Sequence, residues 1–240
     1  MTEVGLGRAD LERLAGGRDV LKASRRELPW LVAQHRTGAT TVAGTMFVAH
    51  LAGIPIMATG GIGGVHRGVT ETGDVSADLI ELARTPVAVV CSGAKSILDL
   101  PRTLEFLETY GVPVIGYGTD ELPAFFATSS GLRLEYYVDT PTQAAELMRI
   151  AKQLGQTSGL VLANPPPHEV AIPRAELEQL VDQAVRSAAA ASVYGKALTP
   201  FVLDQLRKLG GQRIIKANRA LVVRNAQLAA QVACALASFA

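Results

Sequence analysis

Cysteine is nearly absent from this chain. Only Cys91 and Cys234 occur in 240 residues, and they are not spaced as CxxC, so neither a disulfide framework nor a thiolate zinc site is indicated. Aromatic residues are scarce, at 5% with one tryptophan. Charged residues make up 19% and cancel to a net +1 without a basic or acidic block, which argues against nucleic acid or an anionic membrane as the main partner. The start carries no signal-peptide pattern. A membrane-spanning helix needs about 20 predominantly apolar residues. The apolar stretch from Ala217 to Ala240 is interrupted by Arg219, Arg224, Asn225, Gln227 and Gln231. A packed helix is expected there, and a cytoplasmic location for the protein.

Hydrophobic residues are plentiful, at 48%, enough for a sizeable core. Short apolar runs alternate with helical patterns. Ile54–Ala58, Val87–Cys91, Val112–Ile115 and Gly159–Ala163 read as buried strands. Thr41–Ala52, Ser76–Arg84, Pro101–Tyr110 and Pro141–Leu154 read as helices beside them. This alternation predicts an α/β fold with a mainly parallel sheet flanked by helices. A helical C-terminal part follows, with helices expected at Arg174–Ala191, Pro200–Leu209 and Ala217–Phe239. Asn164-Pro165-Pro166-Pro167 reads as the turn before it. Little before Trp30 looks able to open an α/β unit. The whole of residues 1–240 reads as one domain.

Ala58-Thr59-Gly60-Gly61-Ile62-Gly63-Gly64-Val65-His66-Arg67-Gly68 is the most informative stretch, with five glycines in its last nine residues. Such a run is unsuited to a helix or strand interior. It reads either as an anion cradle of freed N–H groups, with His66 and Arg67 adding side-chain donors, or as a flexible surface loop.

Lys95 follows a buried strand in Val87-Ala88-Val89-Val90-Cys91-Ser92-Gly93-Ala94-Lys95. Ser92 reads as the cap of a helix with Lys95 in its first turn, where the dipole disfavours a cation. Burial would act in the same direction. A neutral amine there is a Schiff-base nucleophile; an ordinary exposed lysine is the plain alternative. Asp74-Val75-Ser76-Ala77-Asp78 opens a helix. Asp74 and Asp78 read either as oxygen ligands for magnesium or manganese, one helical turn apart, or as capping acids. Lys22 belongs to a short basic run, as a phosphate contact or a solvated cation. Thr40-Thr41 caps a helix. Asn218 reads as an N-cap or as an amide that recognises a planar base.

Gly38-Ala39-Thr40-Thr41-Val42-Ala43-Gly44-Thr45, the glycine stretch, Asp74-Val75-Ser76-Ala77-Asp78-Leu79 and Cys91-Ser92-Gly93-Ala94-Lys95-Ser96-Ile97-Leu98-Asp99 together resemble the pseudouridine-5′-phosphate glycosidase family, also called the indigoidine synthase A family. Gly195-Lys196, Thr199-Pro200-Phe201 and Ala217-Asn218 extend the resemblance toward the C-terminus. It implies reversible cleavage of the C–C glycosidic bond of pseudouridine 5′-phosphate to uracil and ribose 5-phosphate. This is the pseudouridylate synthase reaction, of the hydro-lyase class, with one Mn²⁺ per subunit and a homo-oligomer, often a trimer.

Carried over residue by residue, the resemblance makes Lys95 the nucleophile and Asp74 the metal ligand. Lys22 becomes the phosphate contact. Val42, Ser76, Ala77, Asp78, His66 and Asn218 become the remaining substrate contacts. The family also has an N-terminal segment, carrying a proton-donating glutamate, ahead of the Val4-Gly5-Leu6 region, and no residue here matches that glutamate. A catalytically impaired ribose-phosphate-binding homologue is therefore the alternative expectation, and a Schiff-base aldolase-like enzyme on another sugar phosphate a third.

Overall fold

The computed structural model describes residues 2–17 and 19–239, and the side chain of Lys196 lies outside the description. The chain opens with helix α1 (Arg8–Gly16), strand β1 (Leu21–Ala23), helix α2 (Leu28–Ala33) and strand β2 (Gly38–Thr40). β1 and β2 pair in parallel, with Lys22 opposite Ala39. The residues before and around Trp30 thus form a β-α-β unit after all. Its sequence signal is weak because both strands are three residues long and largely exposed.

Helix α3 (Val42–Leu51) and strand β3 (Ile56–Ala58) lead into the glycine stretch. A short helix α4 (Val69–Thr72) and helix α5 (Ala77–Arg84) follow, then strand β4 (Ala88–Cys91), helix α6 (Leu100–Thr109) and strand β5 (Val114–Tyr117). Strand β6 (Tyr136–Val138), helix α7 (Pro141–Gln153), strand β7 (Leu160–Ala163), helix α8 (Arg174–Ala190) and helix α9 (Leu198–Ala237) complete the chain. The main sheet has the order β3-β4-β7-β5-β6, every neighbouring pair parallel. This is the expected α/β architecture with a helical C-terminal part.

Local chemistry sets the boundaries. Thr41 caps α3 by accepting the Gly44 amide, Ser76 caps α5 and Asp99 caps α6. Thr140 and Gln143 form a capping box at α7, with Pro141 in its first turn. The strand expected at Val112–Ile115 begins at Val114 instead. Gly111 has a positive φ of 66° and the Val112 amide closes the end of α6 on Leu107, so the chain is still turning there. The edge strand β6 was not legible: Tyr136 and Tyr137 are exposed and its burial does not alternate.

Alternation along the central strands sorts the core. Val89, Cys91 and Val161 face one cluster with Met46, Leu79, Leu107 and Leu206; Ala88, Val90 and Leu162 face another with Leu228 and Val232. All four residues of β4 are buried, as a strand covered on both sides requires. The last two helices expected from sequence are one element, α9, broken at Gly211 (φ 57°, ψ −139°). Its C-terminal stretch packs Ile214, Ala217, Leu221, Leu228 and Val232 into the protein.

Candidate active site

Ligands in parallel α/β sheets bind beyond the carboxyl ends of the strands. Here the loops after β3 and β4 meet there and are zipped together by backbone hydrogen bonds. The Ser92 amide donates to Gly60 O at 2.9 Å, Ile62 to Gly93 O at 3.1 Å and Lys95 to Ile62 O at 3.1 Å. Lys95 therefore sits in a loop continuing β4. No helix starts at Ser92; the next one begins at Leu100. The helix-dipole argument for Lys95 fails, and burial remains.

The glycine stretch is neither flexible nor an open cradle. Residues 61–66 are buried. The amides of Ile62, Gly63, Val65 and His66 are already used by Gly93 O, Asp78 Oδ2, Thr103 Oγ1 and Asp74 O. The glycines at 60, 61, 63 and 64 serve close approach. A Cβ on Gly61 would stand 2.7 Å from Phe125 Cδ2, and one on Gly63 would stand 2.6 Å from Ser76 Cβ. Only Gly68 in the stretch needs the left-handed region, with φ 75°. Arg67, expected as a ligand donor, turns outward to Asp182 on α8 at 2.8 Å.

Asp78 and Asp74 have separate positions. Asp74 precedes α5, so the expected one-turn relation between them does not hold. The buried Asp78 carboxylate accepts the Ala43 amide at 2.9 Å and the Gly63 amide at 2.8 Å, tying the first turn of α3 to the glycine loop. Asp74 is partly exposed, and its Oδ2 lies 3.9 Å from His66 Nδ1. Ser76 is the α5 cap, with Ala77 exposed beside it. Val42 is buried at the start of α3.

Electrostatics draw the expected residues together. Burial holds the Lys95 amine below the usual lysine range; Asp78 opposes this and Lys22 adds to it. Burial also lowers His66, with Asp74 opposing and Lys22 and Lys95 reinforcing. Lys22, His66, Asp74, Asp78 and Lys95 thus share one electrostatic neighbourhood. The other cations of the basic run are used elsewhere: Arg25 pairs with Glu81 at 3.0 Å and Arg26 with Glu27 at 2.9 Å. The Cys91 thiol beneath the site is pushed up to about 12 by burial and is inert.

Asn218 is not an N-cap. It lies inside α9, exposed, one turn before Leu221 and Val222, whose side chains face Gly60. Arg219 and Arg224 are exposed too. The buried asparagine of this helix is Asn225, which sequence reasoning passed over. Its Nδ2 donates to Thr59 O at 2.9 Å and to Ser92 Oγ at 3.1 Å, and its Oδ1 accepts Asn164 Nδ2 at 2.9 Å. The signal was available: Ile214, Ala217, Leu221, Asn225, Leu228 and Val232 fall on one helical stripe of buried residues.

Among the described residues no three His, Cys, Asp or Glu side chains converge on a common point. Asp74 is partly exposed beside His66, whereas Asp78 is buried and each of its oxygens accepts a backbone amide. A hard cation that keeps most of its waters and takes one carboxylate fits that donor set.

The fold and the site define a parallel α/β protein with a buried lysine in the loop that continues a central strand, and comparison with known proteins gives the family. The chain belongs to the family described as "Indigoidine synthase A like protein", whose profile matches residues 1–235. Pseudouridine-5′-phosphate glycosidase from Solibacter usitatus is 54% identical over 96% of this chain and 77% of that protein. The protein of the same name from Methylobacterium nodulans is 56% identical over 97% of this chain and 69% of that protein. Among solved structures, the prealnumycin C-glycosynthase AlnA in complex with ribulose 5-phosphate superposes with a TM-score of 0.91 at 35% identity, over 98% of this chain and 78% of that one. An indigoidine synthase A-like protein from Thermotoga maritima gives 0.87 at 36% identity, over 95% and 75%.

Proposed function

We propose that this chain is a pseudouridine-5′-phosphate glycosidase that cleaves the C–C glycosidic bond through an imine on Lys95. The observation that carries this reading is the placement of Lys95. It is a lysine held below its usual pKa by burial, at the carboxyl end of β4, with Lys22, His66 and Asp78 close enough to alter its charge. The name and high identity of the relatives support the substrate.

A C–C glycoside offers no oxygen or nitrogen leaving atom to protonate, so the departing carbon must carry its electrons away. In the proposed sequence Lys95 Nζ bonds to C1′ as the ring oxygen leaves C1′ and takes a proton. The nitrogen lone pair then forms C1′=N while the C1′–C5 bond breaks, and uracil C5 keeps that pair and takes a proton. Water hydrolyses the imine, releasing ribose 5-phosphate and the free amine. Lowering the lysine pKa keeps a larger share of the amine neutral and nucleophilic. Lys22 is assigned to the phosphate. Asp78 holds the Val42–Ala43 turn against Gly63, so that the substrate meets a fixed wall. His66, whose pKa burial lowers, is assigned to orient the ribose with Asp74. Asn218 is assigned to the base. Asp74 would hold the divalent metal, taken to be Mn²⁺, which offsets phosphate charge when bound. The cytoplasm is the proposed setting.

The test is borohydride trapping. Incubation with ribose 5-phosphate and Mn²⁺, followed by reduction, is expected to leave a pentose phosphate on Lys95, read by peptide mass spectrometry. Lys95→Ala is expected to abolish the adduct and to lower turnover of pseudouridine 5′-phosphate by at least ~10²–10⁴-fold. An adduct on another lysine, or full activity in Lys95→Ala, overturns the imine. An adduct on Lys95 without turnover supports the alternative, a homologue that binds ribose phosphate and is impaired in catalysis.

A further inference from the structure

Asn225 is fully buried on α9, and its side chain bonds only to groups outside its own helix. An asparagine amide has two donor hydrogens and one carbonyl oxygen. Here both hydrogens are spent on the loops after β3 and β4, on Thr59 O and Ser92 Oγ. The oxygen takes Asn164 Nδ2, at the end of β7. Thr59 opens the glycine loop and Ser92 opens the Ser92-Gly93-Ala94-Lys95 segment. One side chain therefore clips together the roots of both loops and the neighbouring strand end.

The two halves of this junction are unequal. Asn164 Oδ1 is buried and has no hydrogen-bond partner among the described residues, so its side-chain amide is held through Asn225. At this level the backbone bonds from Thr59 to Val90 O and from Asn164 to Cys91 O join the strand ends, and Asn225 adds the side-chain link that reaches all three segments at once. Beyond it the loops are joined by single amides: Ser92 to Gly60, Ile62 to Gly93 and Lys95 to Ile62. Gly93 cannot be replaced as a stiffener. Its φ is 74°, and a side chain there would run into the Pro123 carbonyl. Ser92 stands three residues before Lys95, with its carbonyl accepting the Phe125 amide and its hydroxyl accepting Asn225 Nδ2.

We propose that Asn225 is a positioning residue for the reaction: it sets the Ser92–Lys95 segment in register with the glycine loop and so aims the Lys95 amine. This rests on the reading of Lys95 as the imine-forming residue. The same helix carries Asn218 two turns earlier, ~10 Å along the axis.

Two variants test this. Ser92→Ala removes one of the three bonds, and Asn225→Leu removes all three at similar volume. The readouts are the first-order rate of borohydride-trappable adduct at saturating ribose 5-phosphate, the affinity for ribose 5-phosphate, and the pH midpoint of adduct formation, each per folded chain. Lys95 is faced by Lys22 from β1, His66 from the glycine loop, Asp78 from α5 and Cys91 from β4, none of which either variant changes. We expect the rate to fall by about 10–100-fold, the scale of a 1 Å misplacement. Affinity should change little, because Lys22 is untouched. The pH midpoint should move up toward the ordinary lysine value as water reaches the loosened loop.

Unchanged rate and pH midpoint in folded Ser92→Ala overturn the proposal, even with a lowered melting temperature, since that combination means a structural bond only. Should Asn225→Leu not fold, Ser92→Ala decides alone. Absence of any Lys95 adduct in the unaltered chain is a different failure, that of the Lys95 reading itself, and removes the proposal with it.

Discussion

Asp78 and Gly63 lie in contact: the carboxylate Oδ2 accepts the Gly63 amide at 2.8 Å, and a Cβ at position 63 would stand at that same 2.8 Å from the oxygen. The glycine is there so that a buried carboxylate can reach the backbone. Its fellow oxygen holds Ala43, and the pair joins α3, α5 and the glycine loop at one point.

Gly63→Ala is therefore expected to destabilise the chain by about 1–3 kcal/mol, the usual cost of overpacking a filled site. It should also reduce turnover more than a surface change of equal stability cost. Thermal unfolding together with the rate per folded chain checks this; a wild-type melting temperature would show that the loop yields freely.

Lys95 is expected to be a stability liability. Its folded pKa lies below the unfolded value, so at neutral pH the unfolded chain binds a proton more readily than the folded one. The penalty is full below the folded pKa and is relieved as pH rises from there toward the ordinary lysine value. Lys95→Met should therefore be more stable than the parent at neutral pH, with the gain shrinking as pH approaches about 10.4. Denaturant unfolding across pH measures it, and a gain that grows with pH would reverse the sign.

Asp74→Ala is expected to weaken Mn²⁺ binding sharply, because the other nearby carboxylate, Asp78, is committed to two amides. It should also lower the His66 pKa further, since Asp74 is the group that raises it. Manganese titration followed by electron paramagnetic resonance reads the first effect, and the His66 ring protons in an NMR pH titration read the second. An unaltered manganese isotherm would take Asp74 out of the metal site.

Glu81 is fully buried on α5 and is bonded by Arg25, Arg84 and Thr85. Arg25 stands just beyond β1, the strand that carries Lys22, and also lies over the Phe47 ring at 4.3 Å. Glu81→Gln should cost about 1–3 kcal/mol by leaving charged donors with a weaker acceptor. It should raise KM for the phosphorylated substrate more than it lowers kcat, through loosening of β1. A variant with lowered kcat and unchanged KM would separate this anchor from the phosphate contact.

Much of this architecture was legible in residue order. Val87–Cys91 and Gly159–Ala163 are continuous apolar runs because their strands are covered on both faces, and such runs mark buried parallel strands without tertiary information. Thr41, Ser76 and Thr140 announce helix starts because capping is a local bond. Lys95, Asp74 and the glycine stretch stood out by composition and by family resemblance, and the structure brings Lys22, His66, Asp74, Asp78 and Lys95 into one neighbourhood.

What the tertiary structure decided is the use of each group, because partners distant in sequence choose it. A glycine run is the same string whether it is an open cradle or a packed loop; Phe125, Ser76 and Thr103 make it the latter. Asp78 reads from sequence as a ligand or a capping acid, and only the fold brings Ala43 and Gly63 to donate their amides to its two oxygens. Ser92 looks like a helix cap until Asn225, 133 residues away, claims its hydroxyl. Local propensities and burial periods are written along the chain, whereas the satisfaction of a buried polar group depends on which other segment arrives beside it.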